Sequence, residues 1–153
     1  MRLAVTLLLG WFALFRLVIG LWQAVFPASF YADFPGMGHH WVSPDGPYNE
    51  HLLRDVGLGT LAIGTVALVA LLTGVIWVAR AVGLAVVVTN LPHQLYHQAH
   101  VSVLPTVTDQ VLQSISLAAV SLAAVALVVL TSRLPVAPTG PPADSRAPAP
   151  SHL

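Results

Sequence analysis

The stretch VGLGTLAIGTVALVALLTGVIWVA, residues 56–79, contains no ionisable side chain, and it decides the fold class. A helix needs about 20 apolar residues to cross roughly 30 Å of bilayer hydrocarbon. Residues 56–79 are long enough to do so. They must be helical there, because backbone amides in lipid need hydrogen-bond partners within the protein. This stretch therefore predicts a transmembrane helix.

Three further stretches, 3–26, 81–97 and 111–130, have the same character. They predict an all-α membrane protein, a four-helix transmembrane bundle with up-down topology, over residues 1–132. Only 8% of the residues are charged, against roughly 25% in soluble domains. We expect the first span to be retained, because no clear signal-peptide cleavage site follows it. The remaining residues, 133–153, are rich in proline and alanine and predict a disordered cytoplasmic tail.

The charges predict an orientation in the membrane. Arg2, Arg80 and Arg133 lie at the span ends on one side, whereas the connections 28–55 and 98–110 contain five of the six acidic residues. The positive-inside rule then places both termini in the cytoplasm. Arginine without lysine, in a chain rich in alanine, valine, leucine and proline, is typical of a high-GC bacterial genome, so we expect a bacterial inner membrane. The net charge of zero gives no indication of a nucleic-acid partner.

Histidines gather where the third span ends, in NLPHQLYHQAH, residues 90–100. On a helix, Asn90, His93, His97 and His100 share one face, because they are three or four residues apart. The segment that opens the second span is on the same side of the membrane, with Asn49 as a candidate N-cap. Its polar side chains, together with those of the third span, form a predicted cluster at the outer mouth. The cluster's second-span members are Glu50, His51 and Asp55.

This cluster supports three hypotheses. The first is a divalent metal site, zinc or copper, since both metals accept imidazole and carboxylate ligands. Its candidate ligands are His51, His93, His97 and His100. The second is haem held by His51 and one histidine of the third span. The third is purely structural, with the histidines at home at the lipid–water interface. The glutamate of the HExxH motif is missing between His93 and His97, so we do not expect a hydrolytic zinc enzyme.

Arg16 lies near the middle of the first span, where an arginine costs roughly 2.5–3.5 kcal/mol on insertion scales. It must therefore face the bundle interior, extend its side chain to the membrane surface, or find a partner, for which Gln23, Asn90 and Asp55 are the candidates. One interpretation is structural, in which backbone carbonyls and water satisfy the guanidinium. The other is a ligand-binding site in which Arg16 anchors an anion or a quinone oxygen, with Asn90, Asp55 and Glu50 around it.

Three segments carry a resemblance to known proteins. The segment FRLVIGLW, residues 15–22, resembles the first helix of the DoxX-like membrane proteins. The segments at 47–57 and 92–100 are similar to those of uncharacterised small bacterial membrane proteins with PYNEHLxRDVG and PHxxxHxxH patterns. The resemblance implies a four-helix fold. Because some DoxX-like proteins are associated with quinone-linked oxidoreductases, it also implies a redox accessory role.

Together these observations favour a multi-pass membrane protein that binds a small molecule or a divalent metal ion at its outer mouth. We expect an accessory subunit more than a stand-alone enzyme. The expected partners are the lipid bilayer and another membrane subunit or a second copy of the chain.

Overall fold

The computed structural model describes residues 1–135 and shows an all-α bundle of four long helices. In chain order the elements are α1 (Arg2–Val25), α2 (Pro27–Asp33), β1 (Pro35–Gly36), β2 (His39–His40), α3 (Glu50–Thr73), α4 (Ile76–Ala99) and α5 (Val107–Ser132). All four long helices are long and apolar enough to cross a membrane. The predicted fold class is confirmed. Of the predicted tail, residues 136–153 lie outside the described residues.

The outer faces of the long helices carry large apolar side chains. Leu3, Leu72 and Leu122, for example, are at least 70% exposed. Such surfaces are costly in water and fit the hydrocarbon of a lipid bilayer. The protein is therefore a membrane protein with lipid as its surrounding solvent.

The boundary between the second and third spans differs from the expected one. The sequence predicts a second span that ends at residue 79, but α3 ends at Thr73 and α4 begins at Ile76. Gly74 ends α3 in the left-handed conformation, with φ of 67°, and its N–H bonds to the Ala70 carbonyl. A hydropathy profile does not reveal this turn, because the residues on both sides of it are apolar. At its other end α3 begins at Glu50, where Asn49 accepts a hydrogen bond from the Leu52 N–H, as a helix cap does.

Glycines set the distance between α1 and α3. A Cβ atom at Gly57 would lie 2.6 Å from the Ala24 nitrogen, and one at Gly20 would lie 2.7 Å from the Leu61 nitrogen. Neither space admits a methyl group, so the two backbones touch along this seam. Small residues at such seams are how helices associate in lipid, where no hydrophobic force draws them together.

Residues 26–49, which we call the cap, fold over one end of the bundle. The cap contains α2 and a two-stranded antiparallel hairpin in which Pro35 pairs with His40. Trp41 is buried and donates from Nε1 to Asp109 Oδ1 at 2.9 Å, which fastens the cap to α5. His39 Nδ1 lies 2.6 Å from the same carboxylate oxygen. The cap therefore covers the end of the bundle where α1 and α4 finish and α3 and α5 begin.

Candidate functional site

A cavity of about 560 Å³ lies under the cap, among all four long helices. Its size falls within the roughly 300–1,000 Å³ that is typical of small-molecule pockets. The cavity has two chemically different sides. The apolar side is lined mainly by α3 and the cap. It includes Leu53, Val56, Ile63, Phe30, Phe34 and Trp41, and apolar side chains of α1 and α5 also line the cavity: Phe15, Ile19, Leu117 and Val120.

One face of α4 supplies the polar side, as the periodicity of residues 90–100 indicated. Asn90, His93 and His97 line the cavity there. The rings of His93 and His97 are 4.5 Å apart between centroids and pack edge to face. His97 Nδ1 lies 3.5 Å from Oδ2 of Asp45, a cap residue that also lines the cavity.

Asn90 connects α4 to α5 as well as lining the cavity. Its Nδ2 donates to the Leu117 carbonyl at 3.2 Å and to Ser121 Oγ at 2.8 Å. Ser121 in turn donates to Gln94 Oε1 at 2.6 Å. These bonds use both amide hydrogens of Asn90 and hold its side chain against α5, which leaves Oδ1 as its remaining hydrogen-bonding atom.

Arg16 is the charged residue of α1 that faces the cavity. It is only 9% exposed, and its Nε atom has no hydrogen-bond partner among the described residues. None of the ion pairs in residues 1–135 includes it. Of the alternatives open to Arg16, the structure has it facing the bundle interior, without a bond to Gln23, Asn90 or Asp55. The structure thus contains a buried arginine that has no acidic partner within residues 1–135 and whose Nε has no hydrogen-bond partner there.

Two glutamines increase the unused hydrogen-bonding capacity of the cavity. Gln23 and Gln113 line it and are 7% and 5% exposed. Their side-chain amides are not among the fully buried atoms without a partner within residues 1–135, so they face the open space of the cavity. The cavity therefore offers donors and acceptors to an occupant.

The structure does not form the predicted cluster as a single site. Four of its members lie outside the cavity on the surface: Glu50, His51, Asp55 and His100. Glu50 pairs with Arg54 at 2.8 Å, and His51 pairs with Asp55 at 3.3 Å while its side chain stays 89% exposed. His100 stacks on Tyr96 with ring centroids 4.3 Å apart.

This division affects the metal and haem hypotheses. No three histidine or acidic side chains within residues 1–135 come together as a metal-binding group. The metal hypothesis is left with two imidazoles, those of His93 and His97. The haem hypothesis loses its axial pairing, because His51 projects from the outside of α3 and does not face α4 across the bundle.

Several residues of the site escaped the sequence reasoning. Asp45 and Gln113 line the cavity, and Asp109 accepts bonds from Trp41, His39 and Thr106. Asp45 and Trp41 belong to a long connection whose path over the bundle leaves no periodic signal. Gln113 carries a detectable signal, because a polar residue inside an apolar span usually faces the protein interior.

Comparisons with protein families, with curated proteins and with solved structures found no match to this chain. The site is therefore interpreted from its own geometry.

Proposed function

We propose that the protein binds an amphipathic small molecule in the cavity under the cap, as a membrane binding protein or accessory subunit. The observation that carries the proposal is the buried Arg16, whose Nε has no hydrogen-bond partner within residues 1–135, in a cavity of about 560 Å³ that Gln23 and Gln113 also line. An occupant with oxygen atoms would satisfy these groups, and its binding would offset the cost of burying them.

The apolar side of the cavity supports a ligand that is amphipathic. Leu53, Val56 and Ile63 follow each other along one face of α3, and the aromatic rings of the cap close the end. Binding pockets commonly combine an apolar lining with a few well-placed polar groups that fix the ligand's orientation. Because the cavity lies within a membrane protein, a molecule that partitions into lipid can reach it.

We further propose that the protein lies in a bacterial inner membrane with both termini in the cytoplasm, so that the cap faces outward. The arginines at positions 2, 80 and 133 support this orientation, as does the concentration of acids on the cap side. The chain has no cysteine, so single cysteines can test it. Met37, 97% exposed at the hairpin tip, is changed to cysteine in one variant, and Pro135 in the other. A membrane-impermeant maleimide added to intact spheroplasts is expected to label only the first variant, and the reverse pattern would refute the orientation.

Mass spectrometry of extracts from the purified protein tests the binding proposal. Gly59 lines the cavity, and a Cβ atom added there would meet no atom within 4 Å. A Gly59→Phe variant should therefore fill the cavity without disturbing the helix seam. Leu122→Phe, at a position 70% exposed toward lipid, is the matched control.

We expect an organic molecule to be enriched over bulk lipid in wild-type and Leu122→Phe protein and reduced in Gly59→Phe. Equal amounts in both variants would show that the molecule lies elsewhere. If wild type releases nothing beyond bulk lipid, the binding proposal is refuted.

The resemblance to DoxX-like proteins supports a second proposal, in which the occupant is a quinone and the protein serves a membrane oxidoreductase. The donors of Arg16 and Gln113 favour it, because they fit the carbonyl oxygens of a quinone. The same extraction separates the two proposals, since a quinone has its own mass and absorbance. A molecule of another class in the extract would exclude the quinone.

A further inference from the structure

We infer that the occupant of the cavity is a lipophilic anion whose head group pairs with Arg16; this inference rests on the proposed function. Three observations carry it: the charge balance of the cavity, the layer of residues around the guanidinium, and the path of the apolar side. The shared chemistry is an anionic head group, a carboxylate or a phosphate monoester, on an apolar body.

The positive charge of Arg16 is not paired with the negative charge of the acidic residue that lines the cavity. The lining includes one carboxylate, Asp45, and that carboxylate lies 3.5 Å from His97 at the cap end. Arg16 has no carboxylate partner within residues 1–135. An unpaired buried charge is expensive, and a guanidinium presents its donors in a planar fork that matches carboxylate and phosphate oxygens. An anionic head group is the occupant that removes this cost.

The four long helices place small or polar residues at one depth around the guanidinium. Arg16 and Asn90 each lie nine residues before the last residue of their helices, Val25 and Ala99. On α3 and α5 the residues nine positions after the first are Gly59 and Ser116, and both line the cavity. At about 1.5 Å per residue, this layer is roughly 13 Å below the cap-side helix ends. A head group has space here because glycine and serine add little bulk.

An apolar body has a continuous surface beside this layer. The α3 side runs from Leu53 near the cap to Ile63 below the layer, and only the small residues Gly59 and Thr60 interrupt its large apolar side chains. Both amide hydrogens of Asn90 bond to α5, so the guanidinium of Arg16 is the strongest donor that the layer offers to a ligand. The geometry therefore orients an amphipathic anion with its charge at Arg16 and its chain along α3.

The test compares three probes that share one alkyl chain: dodecanoate, dodecyl phosphate and the neutral dodecanol. The full chain is placed in nanodiscs of neutral phosphatidylcholine, and binding is measured by native mass spectrometry and by thermal stabilisation, with empty nanodiscs as the blank. We expect at least one anion to bind wild type about tenfold more tightly than dodecanol, the change expected of a charge-assisted hydrogen bond. The carboxylate and phosphate arms identify the head group.

Arg16→Gln should remove the preference for the anion and leave dodecanol binding unchanged. Arg80→Gln is the matched control, since Arg80 also has a buried Nε without a partner among the described residues, yet it does not line this cavity. It should retain the preference. If Arg16→Gln does not purify, wild type alone still tests the inference, because equal affinity for the anions and for dodecanol would overturn it.

The outcomes separate the anion inference from the proposed binding function. Suppose that wild type binds all three probes equally and that Gly59→Phe binds all of them more weakly. This result would overturn the anion inference and leave the proposed binding function standing. Binding of neither anion nor alcohol to wild type would overturn both. A tenfold preference that survives Arg16→Gln would also overturn the inference, because the charge would then be recognised elsewhere.

Discussion

Gly57 and Gly59, two residues apart on α3, give a matched test of the seam between α1 and α3. At Gly57 an added Cβ would lie 2.6 Å from the Ala24 nitrogen and 3.0 Å from the Ala24 Cα, both backbone atoms of α1. Atoms in ordinary contact are about 3.5–4.0 Å apart, so the helices would have to separate by roughly 1 Å. At Gly59 the added atom meets nothing within 4 Å.

The two alanine variants should therefore change stability in opposite directions. Overpacking costs about 1–3 kcal/mol, and replacing a helical glycine by alanine returns about 1 kcal/mol. Gly57→Ala should lose about 1 kcal/mol net, and Gly59→Ala should gain up to about 1 kcal/mol. The free energy of unfolding can be measured in mixed micelles by titration with sodium dodecyl sulfate, following tryptophan fluorescence. Equal stability of the two variants would refute the close contact at this seam.

Two further changes test the bonds that hold the cap and the α4–α5 pair. Asp109→Asn removes the charge that accepts from Trp41, so the cap amides should exchange hydrogen faster; Asp55→Asn, on the exposed surface, should leave their exchange unchanged. Ser121→Ala breaks the link between Asn90 and Gln94 and should destabilise the protein by about 0.5–1.5 kcal/mol in the same titration. Ser116→Ala, whose hydroxyl bonds only within its own helix, should cost less, and equal losses would contradict the assignment.

The number and type of the spans could be predicted because lipid leaves few choices. A run of about 20 apolar residues must be a helix there, and the chain contains four such runs. The position of the tight turn could not be predicted, because Gly74 and Val75 are as apolar as the helices they join. What ends α3 is the left-handed backbone of Gly74, a conformational property that a hydropathy profile does not measure.

The candidate site was predicted in part, for a reason that lies in helix periodicity. The α4 face of Asn90, His93 and His97 follows directly from their spacing. On α3 the cavity-lining residues centre on Val56, and the positions five residues and one residue before it are rotated from it by about 140° and 100°, away from the middle of the cavity face. His51 and Asp55 are those residues. Proximity along the chain suggested a shared cluster, but the helical rotation separates them from the cavity.

The seam and the cavity depend on each other through Arg16. A Cβ at Gly64 would lie 3.0 Å from the Arg16 Cβ and 2.9 Å from the Leu17 nitrogen, so α3 leaves no room on that side of α1. The long side chain must leave the seam, and it lines the cavity, where it is 9% exposed. An arginine at this depth costs roughly 2.5–3.5 kcal/mol to insert. A purely structural role would be served as well by an apolar residue, which carries no such cost. The close packing at Gly64 therefore positions a charge whose benefit is expected only when the cavity is occupied.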